Sequence, residues 1–351
     1  MKDLIGIIIW GTAIYLFIAT GSLGAILGLN DNSIGHDIDL LGSTVNVFDN
    51  VKNGLIVSAK NIKTSIVVSG DNGSTFQKAN IYPLVNGQLL DVFFSNQDKN
   101  LIFAGTDKGL LVSSDAGLNW HPFGDLDKKI DSKTTIYKVS QNFISTFDNG
   151  TGYIYKTTNN FFNVEKVLDF DSEATYDFEV IGNNLYLAMS NGRLMIYSLS
   201  QKEFRTLYSF NSPIVEMEMR NNGLVVYALT KNNDLSLSND GGKTFTKKAD
   251  NIYSFVIYPS NNSVIYASAK KGLIKSTDGG DNWQTIDTLP TGSKIVSALA
   301  VDANGKIYAA SKGKIYTSRD AGFNWKVLDL SSSETISQIS VKYGKLVIGI
   351  K

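Results

Sequence analysis

The stretch SRDAGFNW, Ser318–Trp325, is one of five strings that fit Ser-x-Asp-x-Gly-x-x-Trp/Phe. The others are SGDNGSTF (Ser69–Phe76), SSDAGLNW (Ser113–Trp120), SNDGGKTF (Ser238–Phe245) and STDGGDNW (Ser276–Trp283). Two eroded copies fill the gap: TTNNFFNV from Thr157, and a shortened SLSQKEF from Ser198. The third position of the string falls at 71, 115, 159, 200, 240, 278 and 320, a period of 38 to 44 residues. Copies held in register at such a period mark a repeat architecture.

The sequence around each copy is equally regular. Residues 295–330 read IVSALAVDANGKIYAASKGKIYTSRDAGFNWKVLDL, and residues 253–289 read YSFVIYPSNNSVIYASAKKGLIKSTDGGDNWQTIDTL. Each unit has four short runs rich in Val, Ile, Tyr and Phe, broken by Asn-Gly, Lys-Gly or Asp-Gly. These are strand and hairpin signals. Helical periodicity is absent after residue 45. Four strands in about 40 residues make a propeller blade. WD40 blades have a similar period, but the chain has no Trp-Asp dipeptide and a single Gly-His.

The string falls between the third and fourth strands of a blade. There the aspartate can accept hydrogen bonds from turn amides, glycine permits a positive φ, and the aromatic packs into the blade. Structural roles are therefore expected for Asp71, Gly73 and Phe76; Asp115, Gly117 and Trp120; Asp240, Gly242 and Phe245; Asp278, Gly280 and Trp283; and Asp320, Gly322 and Trp325. A calcium loop would need a run of alternating oxygen ligands that these strings lack. Inner strands are expected near Thr44, Leu90, Thr135, Thr175, Ile214, Tyr253, Ile295 and Thr335. That count favours eight blades, the last closed by an amino-terminal strand such as HDIDLL from His36. Seven blades with an appended hairpin is the alternative.

Composition narrows the function. Lys+Arg and Asp+Glu are 33 each, so the net charge is zero. No basic excess supports general nucleic-acid binding. Cysteine is absent and there are two histidines, His36 and His121. Disulfides, a thiolate metal site and a cysteine nucleophile are excluded, and neither a metal nor a cofactor is expected. Residues 4–30, LIGIIIWGTAIYLFIATGSLGAILGLN, carry no charge. That is long enough for a transmembrane helix and longer than a typical signal-peptide core. Lys2 precedes the run, and no Lys or Arg follows until Lys52. The positive-inside rule then places the propeller outside the cytoplasm, in a periplasm or at the cell exterior. Gly24 and Gly28 fit a helix-packing pattern, which raises homo-oligomerisation through the helix. The expected organisation is an anchor or uncleaved signal at 1–29, a linker at 30–42 that could add one closing strand, and the propeller at 43–351.

Chemistry-bearing residues are sparse. Glu179, Glu216 and Glu218 fall on inner strands, and Glu216 and Glu218 alternate, so they share a face. A glycosidase would need such carboxylates converging across a cleft. Three of the four tryptophans sit in the repeated string and Trp10 in the apolar run, which leaves none as a sugar platform. The turn between the second and third strands is more regular. It carries Lys60 with Lys63, Lys108, Arg193, Lys231, Lys270 with Lys271, and Lys312 with Lys314, and only Asp148-Asn149-Gly150 breaks the series. Repeat geometry puts these turns on the face opposite the repeated string. They form a candidate cationic ring for an acidic protein, lipid headgroup or glycan.

The repeated string resembles the Asp-box, or BNR repeat, of the sialidase-like propeller superfamily, over residues 45 to about 330. In that superfamily the Asp-box is structural and faces away from the active site. Sialidases hold a substrate carboxylate with three arginines. This chain has only Arg193, Arg205, Arg220 and Arg319, none in a Phe-Arg-Ile-Pro motif. Among Asp-box propellers, the repeats and the export segment look most like the photosystem II stability/assembly factor-like proteins, which bind membrane-protein intermediates outside the cytoplasm. The arginine-rich face of that family has lysines in its place here. Sortilin-type receptors share the box but have ten blades and a cysteine-rich module. The resemblance implies a membrane-anchored, non-catalytic scaffold that binds another, membrane-associated protein through its loop faces. A carbohydrate-binding or glycoside-hydrolase propeller is the alternative, and a surface polymer assembled through the amino-terminal helix is a third.

Overall fold

The computed structural model describes six strands between residues 4 and 59 by their backbone, and residues 65–350 except 83–86, 124–133, 159–162, 292–294 and 331–334. The chain divides into two units, Met1–Ile62 and Lys63–Lys351.

In the first unit, Leu4–Trp10, Ala13–Thr20 and Leu23–Asn30 form one three-stranded antiparallel sheet. His36–Leu40, Ser43–Phe48 and Ile56–Ala59 form another. The transmembrane helix expected over this apolar run is not confirmed. Among the described residues no helix is long and apolar enough to cross a membrane.

The second unit is a seven-bladed propeller of four-stranded antiparallel blades. Blade 1 shows the pattern: Leu89–Phe94 innermost, then Ile102–Thr106, Gly109–Ser113 and Asn119–Pro122. The innermost strands of blades 2 to 7 are Thr135–Val139, Thr175–Ile181, Ile214–Arg220, Ile252–Ile257, Ala298–Val301 and Ile336–Lys342. Ile336–Lys342 meets Leu89–Phe94, which closes the ring.

The eighth blade is corrected by two observations. The strand near Thr44 belongs to the amino-terminal unit, where it pairs with His36–Leu40. The final half unit is completed by other strands. Lys345–Ile350 pairs with Ser65–Ser69, with Val347 opposite Val68, and Ser65–Ser69 pairs with Gln77–Lys78. The last blade therefore takes two strands from each end of the propeller.

Second strands are buried on both faces. IFAGT, IYASA and IYAAS in blades 1, 5 and 6 are buried at every position. In each of these three, two large residues lead and small ones follow, so adjacent sheets can approach closely. Seven hydrophobic clusters result among the described residues, one in each gap between neighbouring blades. Ile66 and Val68 of blade 7, for example, pack with Leu89, Ile102 and Trp120 of blade 1.

The repeated string forms the same turn five times. Ser113 Oγ donates to Asp115 Oδ1 at 2.8 Å and accepts from Gly117 N at 2.8 Å. Asp115 Oδ1 accepts from Asn119 N at 2.9 Å and Oδ2 from Asn119 Nδ2 at 2.6 Å. Asp71, Asp240, Asp278 and Asp320 repeat the pattern, with Thr75, Thr244, Asn282 and Asn324 as donors. Each glycine of the string has a positive φ, from 84° at Gly73 to 96° at Gly280. Each also faces the preceding blade. A Cβ on Gly73 would lie 2.4 Å from Leu328, on Gly117 2.8 Å from Val68, and on Gly242 2.7 Å from Leu194. The aromatic roles hold to different degrees. Trp120 is fully buried, with Nε1 donating to Gly117 O at 2.7 Å. Trp283 and Trp325 are partly buried against the same interfaces, and so are Phe76 and Phe245.

Two outcomes follow. Gly117→Ala meets both a positive φ and Val68, so it lowers stability by about 1–3 kcal/mol, read as a lower midpoint in denaturant unfolding. The turn carboxylates set an acid limit. The Thr75 hydroxyl above all holds Asp71 down at about 2, and the backbone N–H groups of Asn282 and Asn324 do the same for Asp278 and Asp320. A carboxylate whose folded pKa lies below its unfolded value adds stability above the unfolded value and loses it as pH falls through the folded one. Thermal stability should fall as pH drops from about 4 to 2, and Asp278→Asn should shrink that fall.

Candidate functional site: the channel mouth

The seven innermost strands line a central channel. In six of them the register slips by one residue near the start: between Leu89 and Asp91, Ile136 and Lys138, Thr175 and Asp177, Ile214 and Glu216, Ile252 and Ser254, and Ile336 and Gln338. Such a bulge turns the extra side chain away from the pairing pattern. The extra residues are Leu90, Tyr137, Tyr176, Val215, Tyr253 and Ser337. All six line one cavity of about 430 Å³ at the channel mouth. The residues that follow, Asp91, Lys138, Asp177, Glu216, Ser254 and Gln338, line it too. The mouth opens on the side of the turns between second and third strands, opposite the serine–aspartate turns.

Its wall is polar and largely self-satisfied. Lys138 Nζ lies 3.0 Å from Asp177 Oδ1. Asp91 Oδ2 accepts from Val139 N of the next blade at 2.7 Å, and Asp177 Oδ2 from Met217 N of the next at 2.8 Å. Further along the inner strand, outside this cavity, Glu218 accepts from Ile257 N at 3.3 Å and is paired with Arg220. The carboxylates thus clasp neighbouring inner strands. Burial pushes Glu216 up to about 8, Glu179 to about 7 and Glu218 to about 6. Burial also raises Asp91, against the pull of Lys138. For Lys138 burial favours the neutral amine, but Asp177, Asp91 and Glu179 outweigh it and hold the ammonium well above the usual lysine range. The rim is aromatic: Tyr137 and Tyr176 meet edge to face with centroids 4.9 Å apart, and Tyr253 is 48% exposed.

Glu179, Glu216 and Glu218, read as channel-facing from their spacing, do gather at the channel. The cationic turns are dispersed. Lys108, Lys231, Lys270, Lys271, Lys312 and Lys314 are exposed. Arg193 is bound to Glu173 at 2.6 Å, and acidic residues such as Asp107 and Asp234 share these turns. Lys60 and Lys63 lie outside the described residues. The four arginines sit apart: Arg193 in the third strand of blade 3, Arg205 in its outer strand, Arg220 at the end of an inner strand, and Arg319 in a serine–aspartate turn. His121 stacks on Tyr82 at 5.9 Å. Among the described residues no group of three or more His, Asp or Glu is set to hold a metal. The sequence reading missed the tyrosine rim. Its signal was faint, a tyrosine at the same place in three of the seven inner strands, and bulges leave no trace in hydrophobic periodicity.

No protein-family model matches the chain, and no curated protein matches it by sequence. Solved structures do match its fold. YCF48 from Cyanidioschyzon merolae aligns with a TM-score of 0.62 at 16% identity, covering 76% of this chain and 94% of that one. YCF48 bound to a D1 peptide aligns at 0.58 and 15% identity, covering 76% and 92%. The extracellular domain of BT4673, a putative one-component system from B. thetaiotaomicron, aligns at 0.57 and 15% identity; 77% of this chain matches 38% of that one.

The raised carboxylates give a pH dependence of opposite sign to the turns. A group whose folded pKa lies above its unfolded value contributes stability below the unfolded pKa, lost as pH rises through the folded one. Stability should decline between about pH 5 and 8, and Glu216→Gln should flatten that decline when melting temperature is measured across the range.

Proposed function

We propose that this protein is a non-catalytic, protein-binding propeller that docks a partner across the channel mouth. The observation that carries this reading is the rim of Tyr137, Tyr176 and Tyr253, raised by bulges on a rigid ring, with exposed lysines in the turns on the same side. Tyrosines of this kind are the anchors that protein interfaces favour, and a rigid scaffold limits the entropy lost on binding. The fold neighbour bound to a D1 peptide supports a polypeptide ligand. The surrounding lysines, Lys108, Lys231, Lys270, Lys271, Lys312 and Lys314 among them, suit a partner with an acidic surface, not a nucleic acid. The serine–aspartate turns have the hydrogen bonding expected of Asp-boxes, which supports membership of the sialidase-like superfamily.

The location belongs to the same proposal. The uncharged run at 4–30 supports attachment to a membrane with the propeller on the extracytoplasmic side, near a membrane-associated partner. The glycan-binding reading keeps one observation in its favour, the Tyr137–Tyr176 pair above a wall of carboxylates. Self-association through the amino-terminal run is tested alongside it.

A photo-crosslinking amino acid at Tyr253 of the full-length protein, in its own membranes, tests the reading. One dominant protein adduct is expected. Tyr137→Ala with Tyr176→Ala should cut its yield at least tenfold, and raising salt from 50 to 500 mM should cut it again. No protein adduct, with glycan-array binding lost in the same variant, turns the reading to a lectin. Adducts only to this chain itself turn it to a polymer. Alkaline extraction of the membranes tests the anchor: release of the protein into the supernatant overturns it.

A further inference from the structure

A second cavity, of about 470 Å³, opens between the serine–aspartate turns of blades 6 and 7, on the face away from the channel mouth. Three cations line it, each from a different part of blade 6: Lys306 where the second strand begins, Arg319 in the turn, and Lys326 in the outer strand. One carboxylate, Asp320, lines it too. Its oxygens are already occupied by Ser318 and Asn324. Among the described residues none of the three cations has a carboxylate within ion-pair distance.

Lys306 is the sharpest anomaly. It is 8% exposed, yet its ammonium has one hydrogen bond, a 3.3 Å contact to Asn72 O of blade 7. It otherwise rests 4.5 Å above the Tyr308 ring. A buried ammonium keeps its charge at a cost unless an anion answers it. Asp302 stands nearby but spends its oxygens on Asn304 N, Lys306 N and the Tyr308 hydroxyl. Burial pushes Lys306 down, with Arg319 adding to the effect before Asp302 opposes it and Lys326 contributes.

The repeat shows that the cations are an addition to it. The residue between serine and aspartate is Gly70, Ser114, Asn239 and Thr277 in the other four copies, and Arg319 here. The residue after the aromatic is Gln77, His121, Thr246 and Gln284 elsewhere, and Lys326 here. The turn's own hydrogen bonds use neither side chain. The fold does not require these charges, and their convergence calls for another reason.

We infer that this cavity binds a tetrahedral oxyanion, a phosphate or sulfate group. Three cationic donors on the wall of one cavity suit the three or more terminal oxygens and higher charge of such a group better than the two coplanar oxygens of a carboxylate. Trp325 and Leu328 give the same cavity an apolar wall, room for whatever carries the anion. The site lies apart from the tyrosine rim and does not depend on the partner proposed there.

Calorimetry of the full-length protein in detergent, at low ionic strength, tests it with inorganic phosphate, sulfate, glycerol phosphate and acetate. Phosphate or sulfate should bind at least tenfold tighter than acetate. Arg319→Gln and Lys326→Gln, each checked for an unchanged melting temperature, should each weaken binding at least tenfold. Tighter binding of glycerol phosphate than of inorganic phosphate identifies an ester-borne group, and the reverse order a free anion. No binding, acetate binding as tight as phosphate, or binding untouched by both substitutions overturns the site.

Discussion

One carboxylate in each turn, held by the serine two residues before it and by amides three or four residues after it, is the contact on which the propeller rests. It fixes two successive left-handed residues, as at Asn72 and Gly73 or Ala116 and Gly117. That path presses the bare face of a glycine against the preceding blade. The same turn leans on its own blade, because Asn72 N donates to Gly344 O and Ala116 N to Asn100 O. A short polar motif therefore governs how closely two apolar sheets pack. Strand propensity alone makes a blade, and the turn makes the blade fit its neighbour.

The inner strands use the same chemistry for a different end. Asp91 and Asp177 reach across to the backbone of the next blade, so carboxylates tie the ring at its hub as they do at its outer turns. At the hub the surroundings are drier and the carboxylates are destabilised in their charged form. At the outer turns they are exposed, saturated with donors and strongly acidic. Burial against donor count decides the sign in each place.

The architecture was legible because glycine, aspartate and the aromatic sit at fixed offsets that only one backbone path satisfies. Even the eroded copy at Ser198 marks a true blade, whose outer hairpin forms without the aspartate. The blade number was misread at Thr44. A run of alternating apolar residues looks the same whether it joins the ring or pairs elsewhere, and pairing partners are not local information. The closing strands were missed for the same reason: Ser65–Ser69 reads as the third strand of its own unit, and its partner lies at the far end of the chain. Of the sites, the glutamates were legible from alternation. The rim tyrosines and the Lys306 cavity were not, since one depends on bulges and the other on two turns meeting in space.

The shared final blade has a consequence for how the molecule comes into being. Ser65–Ser69 is among the first propeller strands made, and its partner, Lys345–Ile350, is made last. Until then the early strand offers an unsatisfied hydrogen-bonding edge, open to strands of other chains. Blades 1 to 6 can assemble as synthesis proceeds, each from local hairpins, but the circle is joined only by the most distant pairing in the sequence. Loss of the Lys345–Ile350 strand would therefore do more than trim an edge: it would leave an open arc with two sticky ends.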